Sequence, residues 1–147
     1  MQNKQILLTG GAGYIGSHVL RQLGARGEDV VTLDNLSTGF REAVTFGRLV
    51  EGDTGDAALL TDLFRRHDFD TVMHFAAHTV VPESVSDPLK YYGNNTASSR
   101  TLLEIAAQHG VRNVVFSSTA ASIASTSTVR FVSSAKWVSA PQPRARM

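Results

Sequence analysis

Short apolar runs alternate along this chain with stretches of helical periodicity, and glycine, proline or an acid marks most changes between them. The run from Lys4 to Thr9 stops at Gly10-Gly11, which reads as a buried strand ending in a turn. Ile15, Val19 and Leu23 then fall on one helical face, with Ser17, Arg21 and Gln22 elsewhere on the wheel, and Gly24 and Gly27 mark the end of that helix. A second strand over 29–33 ends at Asp34-Asn35, and a third over 48–53 includes its own exit. Ala57 to Arg66 is helical, with Leu59, Leu60, Leu63 and Phe64 clustered on one face. Thr71 to Phe75 is a fourth strand, followed by a loop punctuated by Pro82 and Pro88. A less periodic helix over 89–109 leads to a fifth strand, Arg112 to Phe116, and then to Ser117-Ser118-Thr119. This alternation predicts βαβ units, and right-handed crossovers place the strands in the order 3-2-1-4-5, a Rossmann-type doubly wound parallel α/β sheet.

The first turn carries candidate chemistry. Gly11-x-Gly13-x-x-Gly16 lies between the first strand and the first helix, and Gly10-x-x-Gly13-x-x-Gly16 overlaps it. In such a unit one glycine permits the turn, one lets the backbone approach a pyrophosphate, and one lets helix and strand pack closely. The helix N-terminus adds free N–H groups and partial positive charge. Asp34 ends the next strand, 18 residues past Gly16, where a carboxylate binds ribose hydroxyls. A carboxylate there repels a 2′-phosphate, so NAD is expected in preference to NADP. The bland alternative is a simple glycine turn with Asp34 as a strand cap.

Longer segments carry a resemblance. Thr9-Gly10-Gly11-Ala12-Gly13-Tyr14-Ile15-Gly16-Ser17-His18 resembles the opening of extended short-chain dehydrogenases/reductases. Asp34-Asn35-Leu36-Ser37-Thr38-Gly39, His74-Phe75-Ala76-Ala77 with Val81-Pro82-Glu83-Ser84-Val85, Pro88-Leu89-x-Tyr91-Tyr92-x-Asn94-Asn95, and Phe116 to Ala121 are similar to blocks of the UDP-glucose 4-epimerases. The likeness covers residues 4–121 nearly continuously. It implies an NAD-dependent isomerase of nucleotide-sugar and galactose metabolism: a hydride passes from sugar C4 to NAD, the 4-keto sugar turns over, and the hydride returns to its other face. It also implies roles for individual residues. Gly10, Gly13, Tyr14, Ile15 and Gly16 would lie on the pyrophosphate, Asp34 and Asn35 on the adenosine ribose, and Asp53 and Thr54 on the adenine. Phe75, Ala76 and Ala77 would line the cofactor, Asn94 would sit near it, and Ser117 and Ser118 would approach the nicotinamide. Thr119 takes the place of the catalytic serine or threonine. Plainer readings stand beside these: helix packing for Tyr91-Tyr92, an ordinary strand-end hydroxyl for Thr119, and a satisfied buried histidine for His74.

The family's general base is a tyrosine followed four residues later by a lysine, whose charge lowers the tyrosine pKa. Tyr14, Tyr91 and Tyr92 are the only tyrosines here, and His18, Asn95 and Thr96 stand four residues after them. After Ala121 the family continues Val-Tyr-Gly, where this chain reads Ser122-Ile123-Ala124-Ser125. The expected organisation is therefore an NAD-binding unit over 1–121 and a non-homologous, disordered tail over 122–147, with the substrate domain and the residues that would choose the sugar pair missing. Thr128 to Val132 does alternate like a strand.

Charge sharpens that boundary. All 13 acids lie at or before Glu104, while Arg130, Lys136, Arg144 and Arg146 give residues 122–147 a charge of +4 with no glycine. A tail read out of the family's frame would account for the shift. Net charge is +1, so no general attraction to nucleic acid or membrane is expected. There is no cysteine, and the five histidines show no metal spacing. Without an apolar leader or a spanning run, the expected location is cytoplasmic. The expected partner is a UDP-sugar, and the resemblance also allows a homodimer. A truncated sheet would leave the fifth strand as an apolar edge at Val111, Val114, Val115 and Phe116, with poor solubility. Three functions remain open: an epimerase fragment without turnover (or one from a related dehydratase), a module that holds NAD without chemistry, and a product with no function.

Overall fold

The computed structural model describes residues 4–117 and the backbone of 128–130. Six strands form one sheet in the order β3-β2-β1-β4-β5-β6. They are β1 (Gln5–Thr9), β2 (Asp29–Asp34), β3 (Arg48–Glu51), β4 (Phe69–His74), β5 (Asn113–Phe116) and β6 (Thr128–Arg130). The first five pair in parallel, as the spacing of apolar runs requires. The helices are α1 (Tyr14–Ala25), α2 (Ala57–Arg66), α3 (Val81–Ser86), α4 (Pro88–Tyr91) and α5 (Ser98–Gln108).

Successive strand residues point to opposite faces, so Leu7 and Leu8 found two separate cores. Leu7 joins Val31, Leu33 and Val72 against Leu60, Leu63 and Phe64 of α2 and Leu102, Ile105 and Ala106 of α5. Leu8 joins Val30 against Leu20 of α1, with Ile6, Val19 and Leu23 partly buried around them. Asp56 caps α2 by accepting from Ala58 N–H and Leu59 N–H, both at 3.0 Å.

Two expectations need correction. The stretch after β4 is not simply a loop, because Pro82 falls in the first turn of α3, where its missing N–H costs nothing. Also, β5 is not the sheet edge. β6 pairs with it antiparallel, Val114 opposite Val129, and Val111 and Val114 are buried. Residues 128–130 thus take up the backbone pairing along β5. The exposed-edge ground for poor solubility is removed, and at 128–130 the expected disorder gives way to a strand.

The α5-side core also encloses a polar chain. Ser99 Oγ gives its hydrogen to Asn95 O at 2.6 Å, so it must accept from His74 Nε2 at 2.7 Å. His74 Nδ1 is then bare and accepts from the Thr9 hydroxyl at 2.6 Å. Thr9 Oγ1 in turn lies 3.4 Å from Ala76 N–H. The bonding pattern assigns His74 one neutral tautomer, and burial pushes its pKa down from 6.5 to about 4.

This burial predicts acid sensitivity. The unfolded chain takes a proton on His74 below its ordinary 6.5, whereas the folded chain resists until about 4. Stability present above pH 6.5 should therefore fall by up to about 3 kcal/mol as the pH drops through that window. Urea unfolding at several pH values will show it. His74→Gln should be less stable at neutral pH and lose most of the slope, leaving a smaller share from His67, whose pKa burial also lowers.

Candidate nucleotide-binding site

At the C-terminal ends of β1, β2 and β4 a cleft of about 440 Å³ opens between the turn at 10–13 and the segment after β4. Strand order reverses between β1 and β4, the place where open α/β sheets bind ligands. The two overlapping glycine patterns separate here. Gly10, Gly13 and Gly16 line the cleft, whereas Gly11 is buried beneath it. Gly10 takes φ +71°, and a Cβ there would meet Ala76 N at 2.6 Å. A Cβ on Gly16 would lie 2.1 Å from Gly10 O, so α1 can sit on the turn only without one.

The N-terminus of α1 is open toward this space. Its N-cap, Gly13, makes no side-chain cap, and the first turn holds no acid. Tyr14 and Ile15, both well exposed, line the same end of the cleft. Free N–H groups and the helix dipole therefore face the cavity, with no acid in the helix's own first turn.

Asp34 closes the turn from the β2 side. Its carboxylate is nearly buried, and accepts from Ala12 N–H and from Leu36 N–H, each at 2.9 Å. One carboxylate thus ties the phosphate-type turn to the exit of β2 and keeps lone pairs for a further donor. Leu36, bonded to it, is held at φ 57°, a left-handed conformation that L side chains avoid. Asn35 Nδ2 donates to Asp53 Oδ2 at 3.0 Å, and Asp53 Oδ1 accepts Gly55 N–H at 2.7 Å, so these acids sit on one wall with Thr54.

The opposite wall is Phe75, Ala76 and Ala77, continued by His78 and Thr79. Two reciprocal pairs hold its backbone. Asn95 Oδ1 accepts His78 N–H at 2.8 Å while Asn95 Nδ2 donates to His78 O at 2.9 Å. The Tyr91 hydroxyl accepts Val80 N–H at 3.1 Å and lies 2.9 Å from Val80 O and 2.8 Å from Glu83 Oε2. Burial and the Glu83 carboxylate raise the Tyr91 pKa, the opposite of what a tyrosine base needs. Asn94, which reaches the cleft, and Asn95 lie in a π-helical turn, Tyr92–Ala97, between α4 and α5. Such a bulge is often found at functional sites.

The cleft thus gathers Gly10, Gly13, Tyr14, Ile15, Gly16, Asp34, Asn35, Asp53, Thr54, Phe75, Ala76, Ala77 and Asn94. Ser117 is not among its lining residues; it is exposed just past β5, with its N–H on His74 O at 3.1 Å. Ser118 and Thr119 lie outside the described residues. Gly52, His78 and Thr79 also line the cleft and were not singled out. Gly52 had a signal, since it directly follows β3, and the Asp34 carbonyl accepts its N–H at 3.0 Å. His78 and Thr79 had none, because their position depends on the distant Asn95. No lysine or arginine lines the cleft among the described residues.

Comparisons with known proteins agree with this architecture. The chain is 58% identical over 118 residues to the UDP-glucose 4-epimerase of Azospirillum brasilense, covering 80% of this chain and 34% of that protein. The crystal structure of UDP-glucose 4-epimerase from Brucella ovis in complex with NAD matches with a TM-score of 0.77 and 44% identity, over 81% of this chain and 37% of that one. The Thermotoga maritima UDP-glucose 4-epimerase with UDP-glucose matches with a TM-score of 0.76 and 38% identity, over 78% of this chain and 38% of that one. The chain therefore spans little more than a third of the length of such relatives. The family model described as NAD dependent epimerase/dehydratase matches residues 6–141, nearly the whole chain, and the protein belongs to that family.

Proposed function

We propose that this chain is the dinucleotide-holding part of a UDP-glucose 4-epimerase, and that residues 1–147 by themselves hold NAD without turning over a UDP-sugar. The observation that carries the reading is the open N-terminus of α1 above Gly10, Gly13 and Gly16, with the Asp34 carboxylate one strand away. A diphosphate fits there: backbone N–H groups would hold it, and a Cβ on Gly10 or Gly16 would not leave the turn intact. Asp34 would take the adenosine ribose with its remaining lone pairs, Asn35 would stand beside it, and Asp53 and Thr54 would face the adenine. Phe75, Ala76, Ala77 and Asn94 would flank the other half. Ser117 and Ser118 would lie toward the nicotinamide, and Thr119 would hold the place of the family's hydroxyl. When bound, NAD supplies the hydride acceptor; the residues of this chain bind and orient it. Relatives crystallised with NAD and with UDP-glucose support the cofactor and the substrate class. Cytoplasmic location and a homodimer remain part of the same proposal.

Absence of turnover rests on the tyrosines. None is followed four residues later by lysine, and Tyr91 is committed to Val80 and Glu83 with its pKa raised. The boundary at residue 121 belongs to the proposal too. Alignment with the Azospirillum protein spans 118 residues, while the family match runs on to 141.

Calorimetry with NAD tests the holding role. Binding is expected, with NADP weaker by about a hundredfold or more, because Asp34 meets the 2′-phosphate with no lysine or arginine among the described residues of the cleft to offset it. Asp34→Ala should weaken NAD by about tenfold or more. An unchanged affinity for that variant, or no affinity in folded wild type, removes the reading. A UDP-galactose assay should give no turnover, and a rate normal for an intact epimerase would contradict the inactive reading. Reading the encoding DNA in its other two frames after codon 121 should yield Val-Tyr-Gly and later Tyr-x-x-x-Lys; if neither frame does, the tail is not a frame change.

A further inference from the structure

The cleft has two halves served by different chemistry. On the β2 side, Asp34, Asn35 and Asp53 bring polar side chains to the lining of the cleft. On the β4 side Phe75, Ala76 and Ala77 offer backbone and apolar surface, and His78, Thr79 and Asn94 continue that wall. What places that apolar wall lies behind it. Thr9 is fully buried at the end of β1, and its neighbour Gly10 begins the phosphate-type turn. The hydroxyl of Thr9 lies against Ala76 N–H on one side and bonds His74 Nδ1 on the other. His74 continues to Ser99, and Ser99 continues to the carbonyl of Asn95. The Asn95 side chain then clasps the backbone of His78, at the far end of the same wall. An unbroken series of bonds therefore runs from the glycine turn, under the cleft, to both ends of the β4-side wall.

Resting on the reading of the cleft as a dinucleotide site, we propose that the Thr9–His74–Ser99 chain is a positioning element for the nicotinamide half. It fixes the Ala76–His78 wall relative to the glycine turn, while the adenosine half is held independently by Asp34 and Asp53. The chain has one direction of donation, ending on a carbonyl, so removing one hydroxyl leaves a buried partner unsatisfied and frees the wall to shift. None of its three side chains lines the cleft, so its effect must pass through Ala76 and Asn95.

The test compares NAD with ADP, which carries the adenosine diphosphate half alone. Thr9→Val keeps the volume of the side chain and loses the hydroxyl; Thr9→Ser keeps the hydroxyl and loses the methyl. Ser99→Ala cuts the chain at its other end. Calorimetry on folded protein, with melting curves as a control, should show Thr9→Val and Ser99→Ala weakening NAD by about fivefold or more while ADP changes by less than about twofold. Thr9→Ser should restore NAD affinity, and the double variant Thr9→Val with Ser99→Ala should lose no more than the worse single change. Equal weakening of both ligands would make the chain a general support of the fold and overturn the proposal. So would unchanged NAD affinity in both single variants, or Thr9→Val binding better than Thr9→Ser. Wild type that binds ADP and not NAD overturns the proposal while leaving the adenosine site standing. Wild type that binds neither removes the underlying reading, and the proposal with it.

Discussion

The structure depends on one close approach, the contact of α1 with the turn that leaves β1. At Gly16 a methyl group would stand 2.1 Å from the carbonyl oxygen of Gly10. Because nothing stands there, the first turn of α1 rests on the backbone of the glycine segment, and its free N–H groups face the cleft. The rest follows from that placement. Asp34 reaches Ala12 N–H across the turn, which fixes β2 to it. Gly10, at φ +71°, brings the turn against Ala76, which fixes β4. A cavity bounded by three strand exits results from packing alone, before any ligand is considered.

Much of this was legible because it is local. Strand and helix in the first unit are set by apolar runs and glycine breaks, and α2 falls at Ala57–Arg66 as its apolar face indicates. Strand order among the first five follows from chirality and needs no side-chain detail. Asp34 could be found from its distance along the chain, because a βαβ unit has a nearly fixed length. What could not be read is whatever depends on residues far apart in sequence. His74 is flanked by apolar residues, and nothing nearby announces Thr9, 65 residues earlier, or Ser99, 25 later. The π-helical turn at Tyr92–Ala97 has no periodic signature, since one helical period simply gives way to another. β6 was visible only as alternation; its pairing with β5 is a tertiary choice.

The electrostatics of the cleft set what its groups can do. Its acids, Asp34 and Asp53, are occupied in part by backbone and amide donors and suit hydroxyl groups. The open N-terminus of α1 offers the cleft backbone dipoles, which orient charge without donating or accepting a proton at working pH. Proton transfer needs a group whose pKa is moved toward neutrality and which faces the reacting atom. His74 is moved away from neutrality, to about 4, and is sealed below the cleft. Tyr91 is moved upward and spends its hydroxyl on the loop after β4. Both groups do structural work that a base could not do at the same time, because a proton gained or lost would break the bonds that define the wall. Of the ionisable side chains on the β4 side, His74 and Tyr91 are thus committed to the shape of the wall, while His78 lines the cleft itself.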